Sequence, residues 1–293
     1  MSGAVYSLYK LQGVAAPRLP TAPMQYDARY IEQYSNILRL YFNQLDNLLA
    51  AILSATGGEY LDFPYGAFHQ DGTTTLSANI SNNSTTPISV ASTAGFPSGG
   101  GYILIGTEII QYTSTTSTTF AGTITRGVLG TTNVAHTAGA QISEVQGTGS
   151  STTIGVVKFN NTDYSNGVSI NSSDLTKVVF TTPGIYNVAI SLQLLSFTNS
   201  PDNVTVWFRL NGTDISNTAS IGTVPAIHGG VPGATILTFN IYQQFNINDY
   251  LQVGWTSDAG TSVVATYPAG LSPVHPVSPA VILTAQFVSA IPT

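Results

Sequence analysis

The chain has 293 residues, of which 43% are hydrophobic and only 8% are charged, and its formal net charge is −6. Ordinary soluble domains are about 25% charged, so the polarity of this chain comes from Ser, Thr, Asn and Gln, a mixture that suits β-structure and subunit interfaces. The scarcity of Lys and Arg excludes a nucleic-acid partner, and the absence of cysteine excludes disulfides, thiolate zinc sites and cysteine nucleophiles.

Residues 1–25 are predicted to form an extended arm. Pro17, Pro20 and Pro23 enforce a polyproline-like path, and the apolar stretch 5–11 before them cannot build a core of its own. We therefore expect this stretch to dock on a partner, for example by adding a strand to a sheet edge. No apolar run typical of a signal peptide or of a ~20-residue membrane span occurs, so we expect neither secretion nor membrane insertion.

Residues 26–56 are predicted to form an anchoring or bundling segment built on one amphipathic helix over 27–54. Asp27 is the expected N-cap, and Gly57 and Gly58 are the expected stop. Apolar residues recur at alternating spacings of three and four, and we name them the seam residues: Ile31, Tyr34, Leu38, Tyr41, Leu45, Leu48 and Ile52. A repeat of this length does not separate a 3.5-residue period from a 3.6-residue period. A self-associating bundle and a helix docked on another protein therefore both remain open.

An aromatic-rich connector is expected over residues 57–72, followed by a small β spacer module over 73–147. The clearest signal in the module is a hairpin around Gly106 and Thr107. Its strands are expected at 102–105, 108–112, 120–125 and 141–145.

Residues 148–293 are predicted to form a β head, after a Gly- and Ser-rich linker at 146–151. Pro183 and Gly184 make a corner, after which large apolar residues alternate with small or polar ones, as in a strand with one buried face. About eight strands at short spacing predict a sandwich or jelly roll. They are expected at 153–159, 175–181, 185–195, 203–210, 234–247, 250–256, 261–267 and 280–288.

The phrase Phe-x-x-Pro-Gly-x-Tyr-x-Val at 180–188 resembles one found in the jelly-roll domains of the C1q and tumour-necrosis-factor-like superfamily. Segments 204–217 and 279–289 are similar to the same pattern. Domains of that superfamily usually assemble as tight trimers and often serve as binding heads. The resemblance therefore implies a mainly β chain with a C1q/TNF-like jelly-roll head and a homotrimeric assembly.

The order of the parts resembles structural proteins of marine and cyanobacterial phages. The phrases at 36–46 and 63–68 look like their N-terminal anchors, and 161–170 looks like the start of their heads. The spacing of three phrases resembles a small β-module of phage tail and other virion proteins: 94–108, 125–132 and 136–140. The resemblance implies a trimeric virion fibre or spike, with residues 1–56 and the seam residues binding other virion proteins. Its head would meet a host surface glycan or protein.

No catalytic signature is present, since the chain lacks Gly-x-Ser-x-Gly, His-Glu-x-x-His and a phosphate-binding Gly loop. We expect no enzyme activity, cofactor or metal. The acids of the predicted head stand beside turn-forming residues, which argues against a hydrolytic pair: Asp163, Asp174, Asp202, Asp214, Asp249 and Asp258. The four histidines show no ligand spacing: His69, His136, His228 and His275.

Trp207 and Trp255 are the candidates for sugar stacking. Trp207 lies mid-strand between Val206 and Phe208, which favours the core over a surface platform, and Trp255 is expected near a loop. Receptor contacts are expected to concentrate in loops, within 196–202, 211–233 and 257–279, and the receptor-binding residues stay unknown.

The sequence is compatible with four functions. The first is a tail fibre or spike for host attachment, and its main rival is a capsid decoration protein or head fibre that braces or ornaments the shell. A bacterial C1q-like lectin and a cell-wall enzyme are weaker alternatives, because the first would need a secretion signal and the second would need catalytic residues.

Overall fold

The computed structural model describes residues 15–53, 63–148, 150–271 and 274–291. The chain divides into two compact units, 1–63 and 64–293. In the first unit, helix α1 spans Ala28–Leu53, which confirms the predicted helix. Asp27 is its N-cap, because Oδ1 accepts a hydrogen bond of 2.9 Å from the Arg29 N–H. The docking stretch 5–11 and the stop at Gly57 and Gly58 lie outside the described residues.

The part of the arm that is described, 15–25, contains no helix or strand. Among the described residues, no helix combines the length and the apolar character that crossing a bilayer requires.

The second unit is mainly β and contains two large antiparallel sheets and two small ones. The first eleven strands are β1 (Tyr65–Gln70), β2 (Thr73–Thr75), β3 (Ile88–Ser89), β4 (Gly101–Ile105), β5 (Glu108–Tyr112), β6 (Ser114–Thr115), β7 (Thr119–Ala121), β8 (Gln141–Gly147), β9 (Gly155–Val156), β10 (Asn161–Asn166) and β11 (Val168–Ile170). The remaining eleven are β12 (Val178–Phe180), β13 (Gly184–Ser196), β14 (Asp202–Leu210), β15 (Thr213–Asp214), β16 (Ser220–Val224), β17 (Gly233–Phe245), β18 (Asp249–Ser257), β19 (Val263–Ala265), β20 (Gly270–Leu271), β21 (Val274–His275) and β22 (Val281–Ser289).

The first sheet has ten strands in the order β10-β1-β22-β13-β19-β8-β4-β5, with β17 also paired to β13 and β2 to β8. The second sheet has seven strands in the order β11-β12-β18-β14-β15, with β16 paired to β14 and β9 to β18. Strands β3, β7 and β6 form a small sheet, and β20 and β21 form another.

The two large sheets face each other across one apolar core. Inward-pointing residues of β13 and β22 meet those of β14 and β18, and Phe180 stacks on Phe245 with ring centroids 3.6 Å apart. Burial alternates along β13, so the predicted alternation after Pro183 is confirmed. We name this part, β1 together with residues 155–291, the sandwich.

Each of the eight strands expected in the head overlaps an observed strand. Sequence reasoning missed β10, β11, β15, β16, β20 and β21. Strand β10 shows why, because its side chains are mostly exposed polar groups and carry no apolar alternation.

Two segments differ from their sequence-based interpretation. Residues 65–70, expected in a connector, form β1, which pairs with β10 and β22 and buries Phe68 in the sandwich core. Gln146 and Gly147, expected in a linker, end strand β8 and pair with Val264 and Val263. Gln146 and Gly147 are polar or small, as spacer residues usually are. Their main chains nevertheless help to pair β8 with β19 in the first sheet.

The predicted hairpin is confirmed, with Tyr102 opposite Gln111 and Ile105 opposite Glu108. Strands β7 and β8 also overlap the two other strands expected there. We name residues 73–147 the small lobe. It has its own apolar cluster, which includes Leu76, Ile103 and Phe120, and it shares the first sheet with the sandwich.

Candidate functional site

The seam residues lie along one side of α1 and keep apolar surface accessible. Ile31 is 47% exposed, and the others whose side chains are described are half-buried: Tyr34, Leu38, Tyr41, Leu45 and Leu48. Ile52 belongs to α1, but its side chain lies outside the description. Helices in proteins draw most of their stability from packing an apolar stripe against another element, so this stripe is a candidate contact for a partner.

A second candidate is the outward face of β17, β13 and β22 in the first sheet. The register places Asn187 between Tyr242 and Gln286, and Ser191 between Thr238 and Ile282. We name this surface the uncharged face, because all of its residues are uncharged: Asn187, Ala189, Ser191, Gln193, Ile236, Thr238, Asn240, Tyr242, Ile282, Thr284 and Gln286. Ile236 and Tyr242 are 65% and 67% exposed.

The uncharged face ends at an open edge of the sandwich. Strand β17 is 13 residues long and, among the described strands, pairs with β13 alone. Its inward residues Leu237, Phe239 and Ile241 pack against the core but are only half-buried. A long apolar edge invites pairing with another chain unless something covers it, so this edge favours a partner.

The outward face of the second sheet has a different character. Arg209 Nε lies 2.7 Å from Asp214 Oδ1, and Lys177 Nζ lies 3.1 Å from Asp174 Oδ2. Lys177 also lies 4.7 Å from the centre of the Tyr250 ring. Charges on one face and none on the other indicate that the uncharged face is the surface suited to burial.

Neither tryptophan lies where it was expected, since Trp207 was expected in the core and Trp255 near a loop. Trp255 is only 1% exposed and belongs to the sandwich core, whereas Trp207 lies half-buried on the outward face of β14. Its indole Nε1 donates to Asp214 Oδ1 at 2.8 Å, and the ring covers Gly254, where a Cβ would come within 2.8 Å of it. Val206 and Phe208 are buried side chains of β14, so Trp207 between them points to the opposite face of the strand. This alternation can be read from the sequence.

The acids of the head mostly support local structure. Asp202 is buried and accepts hydrogen bonds from Ser257 Oγ, Ser262 Oγ and the Ala259 N–H. Burial raises the pKa of Asp202, but these hydrogen bonds outweigh it and leave the pKa below its usual value. In the described ranges, no group of three His, Asp or Glu side chains is placed to hold a metal ion.

The spacing of residues along the sequence did not reveal the contacts of His69 with two aspartates. His69 Nδ1 lies 3.1 Å from Asp163 Oδ2, and His69 Nε2 lies 3.6 Å from Asp71 Oδ2. The pairing of β1 with β10 brings these residues together, so only the long-range register could reveal the contact.

A cleft of about 290 Å³ separates the small lobe from the sandwich, and we name it the junction cleft. Glu144 of β8 lines it, is 3% exposed, and has no hydrogen-bond partner at Oε2. Burial raises the pKa of Glu144 to about 7, with Gln70 and Lys158 opposing the rise and Asp71 adding to it. Burial, followed by the charge of Glu144, raises the pKa of Tyr112, which lines the same cleft.

The chain matches no model of a known protein family, and no curated protein is significantly similar to it.

Proposed function

We propose that this chain is a non-enzymatic structural protein of a phage virion, a homotrimeric tail fibre or spike. Residues 1–56 attach it to other virion proteins, and the head meets a host surface glycan or protein. The observation that carries the proposal is the uncharged face together with the open edge of β17, because this surface is suited to burial by identical neighbours.

The path of the chain supports a jelly-roll head of C1q/TNF-like type. From β12 onward the chain crosses repeatedly between the sheets, with β12, β14, β15, β16 and β18 in the second sheet and β13, β17, β19 and β22 in the first. Repeated crossing between two antiparallel sheets is the organisation of jelly rolls. The Pro183-Gly184 corner lies at one of these crossings, between β12 and β13.

The surface chemistry supports self-association. Burying a charge is costly unless it is paired, and permanent interfaces are depleted of charge and enriched in apolar area at their centre. Closed rotational symmetry would let each copy cover the edge of the next without leaving an open filament end. Three copies would also present three heads and raise the avidity for a host surface.

The helix supports an attachment role. The seam residues would either bundle with two identical helices or dock on a neighbouring virion protein. The same apolar stripe would serve a capsid decoration protein or head fibre, which is the second candidate function.

Measuring the mass of the full chain in solution tests the assembly. We expect three chains per particle at micromolar concentration, by light scattering coupled to size exclusion and by native mass spectrometry. A monomer at that concentration would contradict the proposal. Gold-labelled antibody against the chain, applied to intact phage particles, would then separate tail from capsid, and absence from every particle would reject both virion roles.

A further inference from the structure

The junction cleft has two walls that come from distant parts of the chain. Gly99, Gly100 and Gly101 of the small lobe form one wall, and Gly155, Lys158 and Trp255 of the sandwich form the other. Glycine is required at two of these positions. At Gly100, where φ is +106°, a Cβ would lie 2.9 Å from the main-chain oxygen of Tyr112, and at Gly155 a Cβ would lie 2.5 Å from Trp255 Nε1.

Several polar side chains line the cleft. Glu144 offers an unpartnered carboxylate oxygen, while Gln146 is engaged, since its amide bonds both the N–H and the C=O of Lys158. Tyr112 donates its hydroxyl to the main-chain oxygen of Pro97 at 3.0 Å. Glu144 therefore stands out as a buried acceptor whose Oε2 has no hydrogen-bond partner.

The charges of the cleft select the kind of ligand. Glu144 and Lys158 are the lining residues that carry opposite charges. An anion would be attracted by Lys158 but repelled by Glu144, and a cation would be attracted by Glu144 but repelled by Lys158, so neither kind of ion gains from both charges. A neutral molecule with several hydroxyl groups avoids both penalties, because it can donate to the carboxylate and accept from the ammonium group.

We propose that the junction cleft binds a single neutral sugar residue, such as a terminal hexose or N-acetylhexosamine. A cleft of about 290 Å³ lies just below the 300–1,000 Å³ or so of sites for drug-sized ligands, so it suits one ring and not a chain of rings. As the site at which the head takes a host glycan, this inference rests on the proposed attachment function. It also identifies a site away from the three loop regions where receptor contacts were expected.

Saturation-transfer NMR on the full chain tests the inference, with glucose, galactose, mannose, N-acetylglucosamine and N-acetylgalactosamine as probes. We expect at least one of them to bind with a millimolar dissociation constant. Glu144→Gln keeps the shape of the side chain but removes the charge, and we expect it to weaken binding about tenfold. Wild-type affinity should increase as the pH rises through about 7, and the affinity of the variant should not.

Two further variants locate the binding site. Gly99 lines the cleft and a side chain there would meet nothing within 4 Å, so we expect the ring of Gly99→Phe to occupy open space beside the cleft and to abolish binding. Ser117→Phe places the same ring at an exposed position of the small lobe that does not line the cleft, and it should bind like the wild type. Unchanged thermal unfolding of both variants shows that the fold is intact.

Three results would overturn the inference: no saturation transfer from any of the five sugars, wild-type binding by Gly99→Phe, or equal loss of binding in Ser117→Phe. These failures differ from failure of the proposed function. A trimer on phage particles that binds no sugar would reject the cleft alone, whereas a monomeric chain that binds sugar at the cleft would reject the trimer alone.

Discussion

Arg126 and Glu108 form a double ion pair inside the small lobe, with Nε 2.6 Å from Oε1 and Nη2 2.7 Å from Oε2. Glu108 is fully buried and also accepts from the main-chain N–H of Gly127 and of Val134, and it contacts His136 Nε2 at 2.8 Å. Burial raises the pKa of Glu108, yet the hydrogen bonds, that of Arg126 foremost, leave it below its usual value. One carboxylate thus joins several loops of a lobe that has few long strands.

Replacing Arg126 by Met should strongly destabilise the small lobe, because it leaves a buried carboxylate without its counter-charge. We expect a loss of about 3–5 kcal/mol in the free energy of unfolding, as for other broken buried pairs, measured by urea denaturation of the full chain. The matched control is Arg209→Met, which breaks the more exposed pair with Asp214 and should cost about 1 kcal/mol or less. Similar losses in the two variants would show that the buried pair has no special role.

Replacing Glu144 by Gln should remove a pH dependence from stability. The pKa of Glu144 is raised from 4.5 to about 7 in the folded chain, so its contribution to stability is fully present below pH 4.5 and is lost as the pH rises through 7. The shift corresponds to about 3 kcal/mol. The free energy of unfolding of Glu144→Gln, minus that of the wild type, should therefore grow by about that amount from acid to mildly alkaline pH. A difference that stays constant with pH would show that Glu144 does not titrate in this range.

Replacing the seam residues Leu38 and Leu45 by Glu should abolish whatever association α1 makes. Both lie on the apolar stripe, so the charges would have to be buried at the contact. Asn43→Glu adds a charge on the opposite, exposed side of α1 and serves as the control. On the proposed attachment function, we expect the double variant to lose incorporation into phage particles, measured by immunoblot of purified virions, while unfolding of residues 64–293 stays unchanged. Equal incorporation of all three forms would exclude the stripe as the anchor.

The long strands of the sandwich could be predicted because their signal is local. The alternation of Tyr186, Val188, Ile190 and Leu192 sets which face of β13 is buried, without help from other parts of the chain. The same reasoning, applied to the phase of β14, also places Trp207 on the outward face, so that residue was predictable in principle.

The edge strands and the junction cleft depend on contacts that no local pattern encodes. Strand β1 exists because its main chain pairs with β10, about a hundred residues later, and with β22 at the far end of the chain. The cleft exists because Gly147 pairs with Val263 and thereby brings the small lobe against Trp255. Composition identified Gly147 as a linker residue, and only the register shows its packing role.

A lysine on the uncharged face should prevent assembly of the chain. Thr238 lies near the centre of β17, is exposed, and stands opposite Ser191, so Thr238→Lys would bury an unpaired ammonium group in each copy of the proposed interface. The control is Thr205→Lys, on the outward face of β14 beside Trp207, because the outward face of the second sheet already carries charged residues such as Arg209 and Asp214. We expect light scattering to report a smaller particle for Thr238→Lys alone, with both variants retaining the far-ultraviolet dichroism of the wild type. If Thr205→Lys dissociates and Thr238→Lys does not, the interface lies on the second sheet, and the charge asymmetry between the two faces must have another cause.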